Sequence, residues 1–149
     1  MAIKEKAGLI ALVAGVLSFI GWVIPYIWLS IGPVSTMIWS WGLATITGLG
    51  PVPPAFVDEI VIAGVLIIIS AIILLATGAL ARKREDNKVL GIVMAVAGIL
   101  GLIGVFVPLL DPNISLMVTI GGGLSFGFYL PLIGSIIGIG AGAIAAAMK

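Results

Sequence analysis

Few residues in this 149-residue chain could do covalent chemistry, since histidine and cysteine are both absent. That excludes disulfides, thiolate or imidazole metal sites, histidine-ligated haem, cysteine nucleophiles and Ser-His-Asp catalysis. Asp58 and Glu59 adjoin each other, and Asp111 follows much later. Neighbouring carboxylates need not converge, and with no base, nucleophile or metal set beside them they read as solvated loop charges. Were several copies to form a ring, these acids could make a cation-attracting mouth. Gly121, Gly122 and Gly123 precede FGFY (126–129) without the cation and amphipathic helix that a phosphate cradle needs. Asn113-Ile114-Ser115 matches the acceptor triplet for N-glycosylation, making Asn113 a candidate modification site. The residues thus predict no enzyme, no cofactor and no metal.

The elements that carry these residues follow from composition. Apolar residues make up 62% of the chain and charged residues 9%, against about 45–50% and 25% in soluble domains. Mean hydropathy is +1.38. A globule of this composition could not cover itself with a wettable surface, so the bilayer is its expected solvent. A net charge of +1 offers nucleic acid no field.

A hydrocarbon core about 30 Å thick needs about 20 apolar residues. Four stretches without Asp, Glu, Lys or Arg meet that length: 7–28, 60–81, 89–110 and 126–148. The expectation is an all-α integral membrane protein, a single domain over 1–149, built as a four-transmembrane-helix bundle. Lys4 and Lys6 precede the first span as in a signal peptide, but its apolar run is too long for one, so it reads as a retained helix.

All seven basic residues fall on one side of this layout: Lys4 and Lys6 before the first span, Arg82, Lys83, Arg84 and Lys88 in the loop 82–88, and Lys149 at the end. Basic side chains resist translocation. Both termini are then expected in the cytoplasm of a cell whose plasma membrane the chain crosses, with outer loops over 29–59 and 111–125. Trp22, Tyr26, Trp28 and Tyr129 fall at the outer ends of the spans and read as an aromatic belt.

The chain also repeats. Gly8, Val13, Ala14, Gly15, Leu17, Ile20, Gly21 and Pro25 recur 83 positions later as Gly91, Val96, Ala97, Gly98, Leu100, Ile103, Gly104 and Pro108. Each copy continues through an outer loop into a returning helix. Two parallel-repeat hairpins are predicted, related by a pseudo-two-fold axis along the membrane normal.

Lipid tails are as apolar as leucine, so helices associate through close backbone approach at small residues. Gly134, Gly138 and Gly142 form a stripe on the fourth span, and Ala97 and Gly101 a shorter one on the third. Such stripes serve packing within one bundle or a contact between copies.

The first outer loop is long and not hydrophilic. Residues 35–47 are rich in β-branched and aromatic types, between Gly32-Pro33 and Pro53-Pro54. They predict a short strand or hairpin, with a re-entrant segment as the alternative. Met37, Trp39, Trp41 and Leu43, with Trp28 at the start of the loop, are the expected interaction residues, because a contiguous apolar patch outside the membrane marks a contact site. Headgroup anchoring is the alternative for the two tryptophans 39 and 41.

These features resemble claudins and related four-span proteins. IPYIWLS (24–30) is similar to that family's Pro, Trp and small polar residue at the start of the first outer loop, IWSWGL (38–43) to its Trp and Gly-Leu-Trp cluster, and FGFYLPLIG (126–134) to its fourth-helix start. The family's paired cysteines are absent, and Ala44 stands where its second Trp would follow Gly-Leu. The resemblance implies that Trp28, Trp39, Gly42 and Leu43 anchor the loop, that a β-layer covers the outer face, and that the protein self-associates or adheres to a partner. The function expected is therefore a non-catalytic, self-assembling scaffold or accessory subunit, in contact with the lipid bilayer and with its own copies or other membrane subunits. The alternative is a small channel or uncoupled transporter formed by an oligomer, lined by Ser18, Ser70, Thr77 and Ser135.

Overall fold

The computed structural model describes residues 3–48, 50, 53–56, 60–83, 88–119 and 123–147. Asp58, Glu59, Gly121, Gly122, most of the loop 82–88, Lys149 and the side chain of Asn113 lie outside the described residues. Four long helices, α1 (Ile3–Val23), α2 (Val61–Ala81), α3 (Lys88–Phe106) and α5 (Phe126–Ala147), are joined by a five-stranded antiparallel sheet and one short helix, α4 (Pro112–Thr119). The four long helices are long and apolar enough to cross a membrane.

The long helices form a ring. α1 packs on α2 and α5, α3 packs on the same two, and the diagonal pairs barely meet. Chain order makes each helix antiparallel to both neighbours. Glycine sets the spacing. An added Cβ on Gly8 would lie 2.8 Å from the Gly78 carbonyl oxygen, and one on Gly78 would lie 2.7 Å from that of Gly8. The same reciprocal contact joins α3 and α5. A Cβ on Gly91 would lie 2.7 Å from the Gly142 oxygen, and one on Gly142 would lie 2.5 Å from the Gly91 oxygen. Between them Ser70 Oγ donates to the Ala97 carbonyl at 2.7 Å, tying α2 to α3.

The glycines that recur in sequence also recur in contact. Gly15 faces Ala71 and Leu75 of α2, while its counterpart Gly98 faces Ser135 and Ile139 of α5. Gly21 faces Pro131 of α5, while Gly104 faces Ala63 and Ile67 of α2. One crossing reverses its chemistry: Gly134 meets Ser18, whereas Gly101 meets Ser70.

The small β element expected in the first outer loop is present and larger than expected, a sheet of order β4-β3-β2-β1-β5, with β1 Ile27–Ile31, β2 Val34–Ile38, β3 Leu43–Thr47, β4 Ala55–Phe56 and β5 Gly123–Leu124. Residues 35–47 do form the expected hairpin, but it is extended on both sides. The first helix stops at Val23, not at Trp28, because Pro25 has no N–H for the ladder and turns the residue before it out of helical geometry. Trp28 therefore sits on β1, opposite Met37 and Gly123. Gly32-Pro33 closes the β1–β2 hairpin with Gly32 at φ +58°, the positive angle that a two-residue turn of this kind needs at its first central position. In the third span the α-helix ends at Phe106 and a 3₁₀ turn, 107–110, continues past Pro108.

The second outer loop, expected only by its bounds 111–125, holds α4 and β5. Asp111 precedes Pro112 and its carboxylate accepts from the Ile114 N–H at 3.4 Å, an N-cap that starts α4. β5 pairs with Ile27 and Trp28, so the two loops share one sheet.

Candidate interaction surface

The sheet is set on the bundle by one fully buried side chain. Tyr26, read above as a belt residue, lies between α1 and β1 with no exposed surface. Its hydroxyl donates to the Val105 carbonyl at 2.5 Å, and its ring meets Phe128 edge-on at 5.5 Å. Val105 stands in the last turn of α3, where carbonyls have no partner in the helix. Burial pushes the phenol well above its ordinary range, so it stays a donor. Around it Ile27, Ile38, Ile60, Ile67, Val105, Ile114 and Phe128 form one core, drawing on β1, β2, α2, α3, α4 and α5.

Trp39 and Trp41 cap α1. They occupy the tight β2–β3 turn, closed by Gly42 N–H to the Trp39 carbonyl at 3.0 Å with Gly42 at φ +100°. The Trp39 indole N–H donates to the Val23 carbonyl at 2.9 Å, and that of Trp41 to the Trp22 carbonyl at 3.1 Å. Both acceptors are in the last turn of α1. Trp41 also meets Trp22, Trp39 and Phe56 with ring centroids 6.0, 6.1 and 6.4 Å away. Gly64 lets the turn sit on α2, since a Cβ there would lie 2.4 Å from Trp41 Cα.

Register divides the remaining residues between two sheet faces. Ile27, Ile38 and Ala44 share the face that packs on the bundle. Trp28, Met37 and Thr45 share the other, and so do Leu43 and Phe56, which pair with each other. Beyond them Ser30 and Ser35 bond through their hydroxyls at 2.7 Å, and Thr47 Oγ1 donates to the Ser35 carbonyl at 3.4 Å. Of the five expected interaction residues, Trp28 is exposed and Met37, Trp39, Trp41 and Leu43 are half-buried. The structure brings Trp28 to Met37 and Trp39 to Trp41, the first pair on a strand face and the second in a turn. Asn113 lies in the first turn of α4. Ala97, Gly101, Gly134, Gly138 and Gly142 are all buried between helices.

Asp111 is the sole charged side chain of this layer among the described residues. No group of three metal-ligating side chains occurs among them. No protein-family model matches the chain, and no curated protein matches it either. The surface itself must therefore support the functional reading. Tyr26, Phe128 and Ile114 were missed as anchoring residues, because nothing local distinguishes a tyrosine facing headgroups from one buried against a helix end.

Proposed function

We propose that this protein is a non-catalytic structural component of the plasma membrane, a four-helix scaffold that assembles with its own copies or with another membrane subunit through its sheet-bearing layer. The observation that carries the reading is the surface of that layer. Residues 24–60 and 107–125 hold just three charged side chains, Asp58, Glu59 and Asp111. Ile31 and Phe56 are each 64% exposed and Leu110 80%. Water alone is a poor neighbour for such a surface, and exposed apolar patches of this kind mark contacts with other proteins. A likeness to claudins belongs to the same reading, supported by a sheet to which both loops contribute at one end of four helices. Duplication of one hairpin is supported by the recurring glycine contacts. Cytoplasmic termini are supported by the one-sided basic residues.

Two experiments test it. Crosslinking in native membranes, followed by native mass spectrometry, is expected to give species of more than one copy. Ile31→Lys and Leu110→Lys are expected to reduce them several-fold while leaving the helical circular-dichroism signal unchanged. A strictly monomeric protein with no co-purifying subunit would sink the assembly reading. For the orientation, a cysteine engineered between Arg84 and Lys88 should escape labelling from outside intact cells, and rapid labelling there would reverse the layout.

A further inference from the structure

Where the sheet meets α1 and α5, the chain leaves a groove. The two helices touch backbone to backbone just beneath it. A Cβ on Gly127 would lie 2.4 Å from the carbonyl oxygens of both Ile24 and Pro25, and one on Gly21 would lie 2.2 Å from Pro131 Cδ. Beside that contact β1 pairs with β5, with Ile27 opposite Leu124 and Trp28 opposite Gly123. Here a groove of about 370 Å³ is lined by Ile24, Pro25, Trp28, Leu124, Phe126 and Tyr129, with Ser125 as its one hydroxyl side chain. We propose that this groove binds one hydrocarbon chain of a bilayer lipid.

Three observations lead there. The first is continuity. The groove lies at the ends of α1 and α5, whose exposed flank is apolar and includes Ile20 and Ile133. That flank belongs to helices long and apolar enough to cross a bilayer, so hydrocarbon already lies alongside. The second is the lining, which is almost wholly carbon. Water there would find few of the two to four polar partners it needs, and an apolar cavity stays dry or takes an apolar guest. At roughly 30 Å³ for a group the size of a water molecule, the space fits on the order of ten methylenes. The third is the set of side chains at its edge. Trp28, Phe126 and Tyr129 are 54%, 68% and 45% exposed. Trp and Tyr are amphipathic, suited to a place where one end is greasy and the other wet. No lining residue is charged, so the chain and not the headgroup is what the site recognises.

The proposal goes beyond self-assembly and does not depend on it, because a monomer would keep the groove. The test uses the full chain in nanodiscs containing phosphatidylcholine with a photoactivatable group midway along one acyl chain. Adducts mapped by mass spectrometry are expected on 24–28 and 124–129 at least about five-fold above those on the exposed residues Val65, Ile69 and Ile72 of α2 and Ile92, Val96, Ile99 and Ile103 of α3. Phosphatidylglycerol carrying the same chain should label equally. Trp28→Ala and Phe126→Ser, both at exposed positions, should each lower groove adducts several-fold with helical content unchanged. Even labelling around all four helices would overturn the proposal, since it would show ordinary boundary lipid. A strong preference for one headgroup, or crosslinking of a photoreactive residue at 126 to a second copy instead of lipid, would overturn it as well.

Discussion

At the sheet end the helices are joined by large side chains and directed hydrogen bonds, whereas in the opposite half they are joined by glycine and alanine laid against bare backbone. Tyr26, Ile27, Ile60, Ile67 and Phe128 fill the first region, and phenol and indole groups cap the ends of α3 and α1. Ala11, Ala14, Ala81, Ala97 and Ala141 dominate the second, with Leu74 and Met94 as its larger members. The contrast follows from solvent. A helix end near water has orphan carbonyls that need donors and apolar groups that gain by burial. Mid-bilayer, burial against another helix gains little over burial in lipid, and what remains is dispersion at short range. Small residues maximise it by letting backbones meet.

The comparison can be broken most severely at Gly142. Its added Cβ would lie 2.4 Å from the Ala95 backbone nitrogen, which cannot swing aside. Gly142→Leu should cost more than the about 1–3 kcal/mol of ordinary overpacking and leave no monodisperse folded species in detergent. Two residues along, Gly140 has nothing within 4 Å of the same atom. Gly140→Leu should therefore shift stability by under about 0.5 kcal/mol. Equal losses for the pair would show that the remote half is not held by backbone approach.

Tyr26→Phe tests the sheet end next. It keeps the ring and strands the Val105 carbonyl, with an expected loss of about 1–3 kcal/mol in reversible unfolding. The same variant has a pH signature. A phenol whose pKa is raised on folding contributes stability that is complete below its unfolded value near ~10 and declines above it. The wild type should lose stability above about pH 10 more steeply than Tyr26→Phe. Gly138→Ala should cost less than Gly142→Ala, because its nearest neighbour is the movable Leu74 side chain, 2.9 Å away. Melting temperatures of the two alanine variants rank them. Smallest among the sheet-end effects, Trp39→Phe should lose about 0.5–1.5 kcal/mol with the indole donor to Val23, and its emission should identify which tryptophan reports the turn.

Much of the helical plan was legible because spanning a membrane is demanded of a segment by itself. Val61–Ala81 and Phe126–Ala147 match their expected spans to within one residue. Small residues at 134, 138 and 142 were legible as a packing surface, but not the partners they serve: Gly134 meets α1, Gly138 meets α2 and Gly142 meets α3. The expected span 7–28 runs five residues past the end of α1 because residues 24–28 continue the apolar run, although Pro25 already marks a place where a helix can stop. β5 was invisible because two residues, Gly123 and Leu124, become a strand only when β1 lies beside them.

Composition alone settled that this chain has no histidine or cysteine chemistry and that its helices suit a bilayer, since apolar length and missing donors are properties of local sequence. Tertiary structure alone decided that tryptophans in a loop would cap a helix they follow by some sixteen residues, that Tyr26 would face inward, and that two distant loops would share one sheet. Each depends on which carbonyl or strand edge is left unpaired nearby, and that is fixed only once the helices have met.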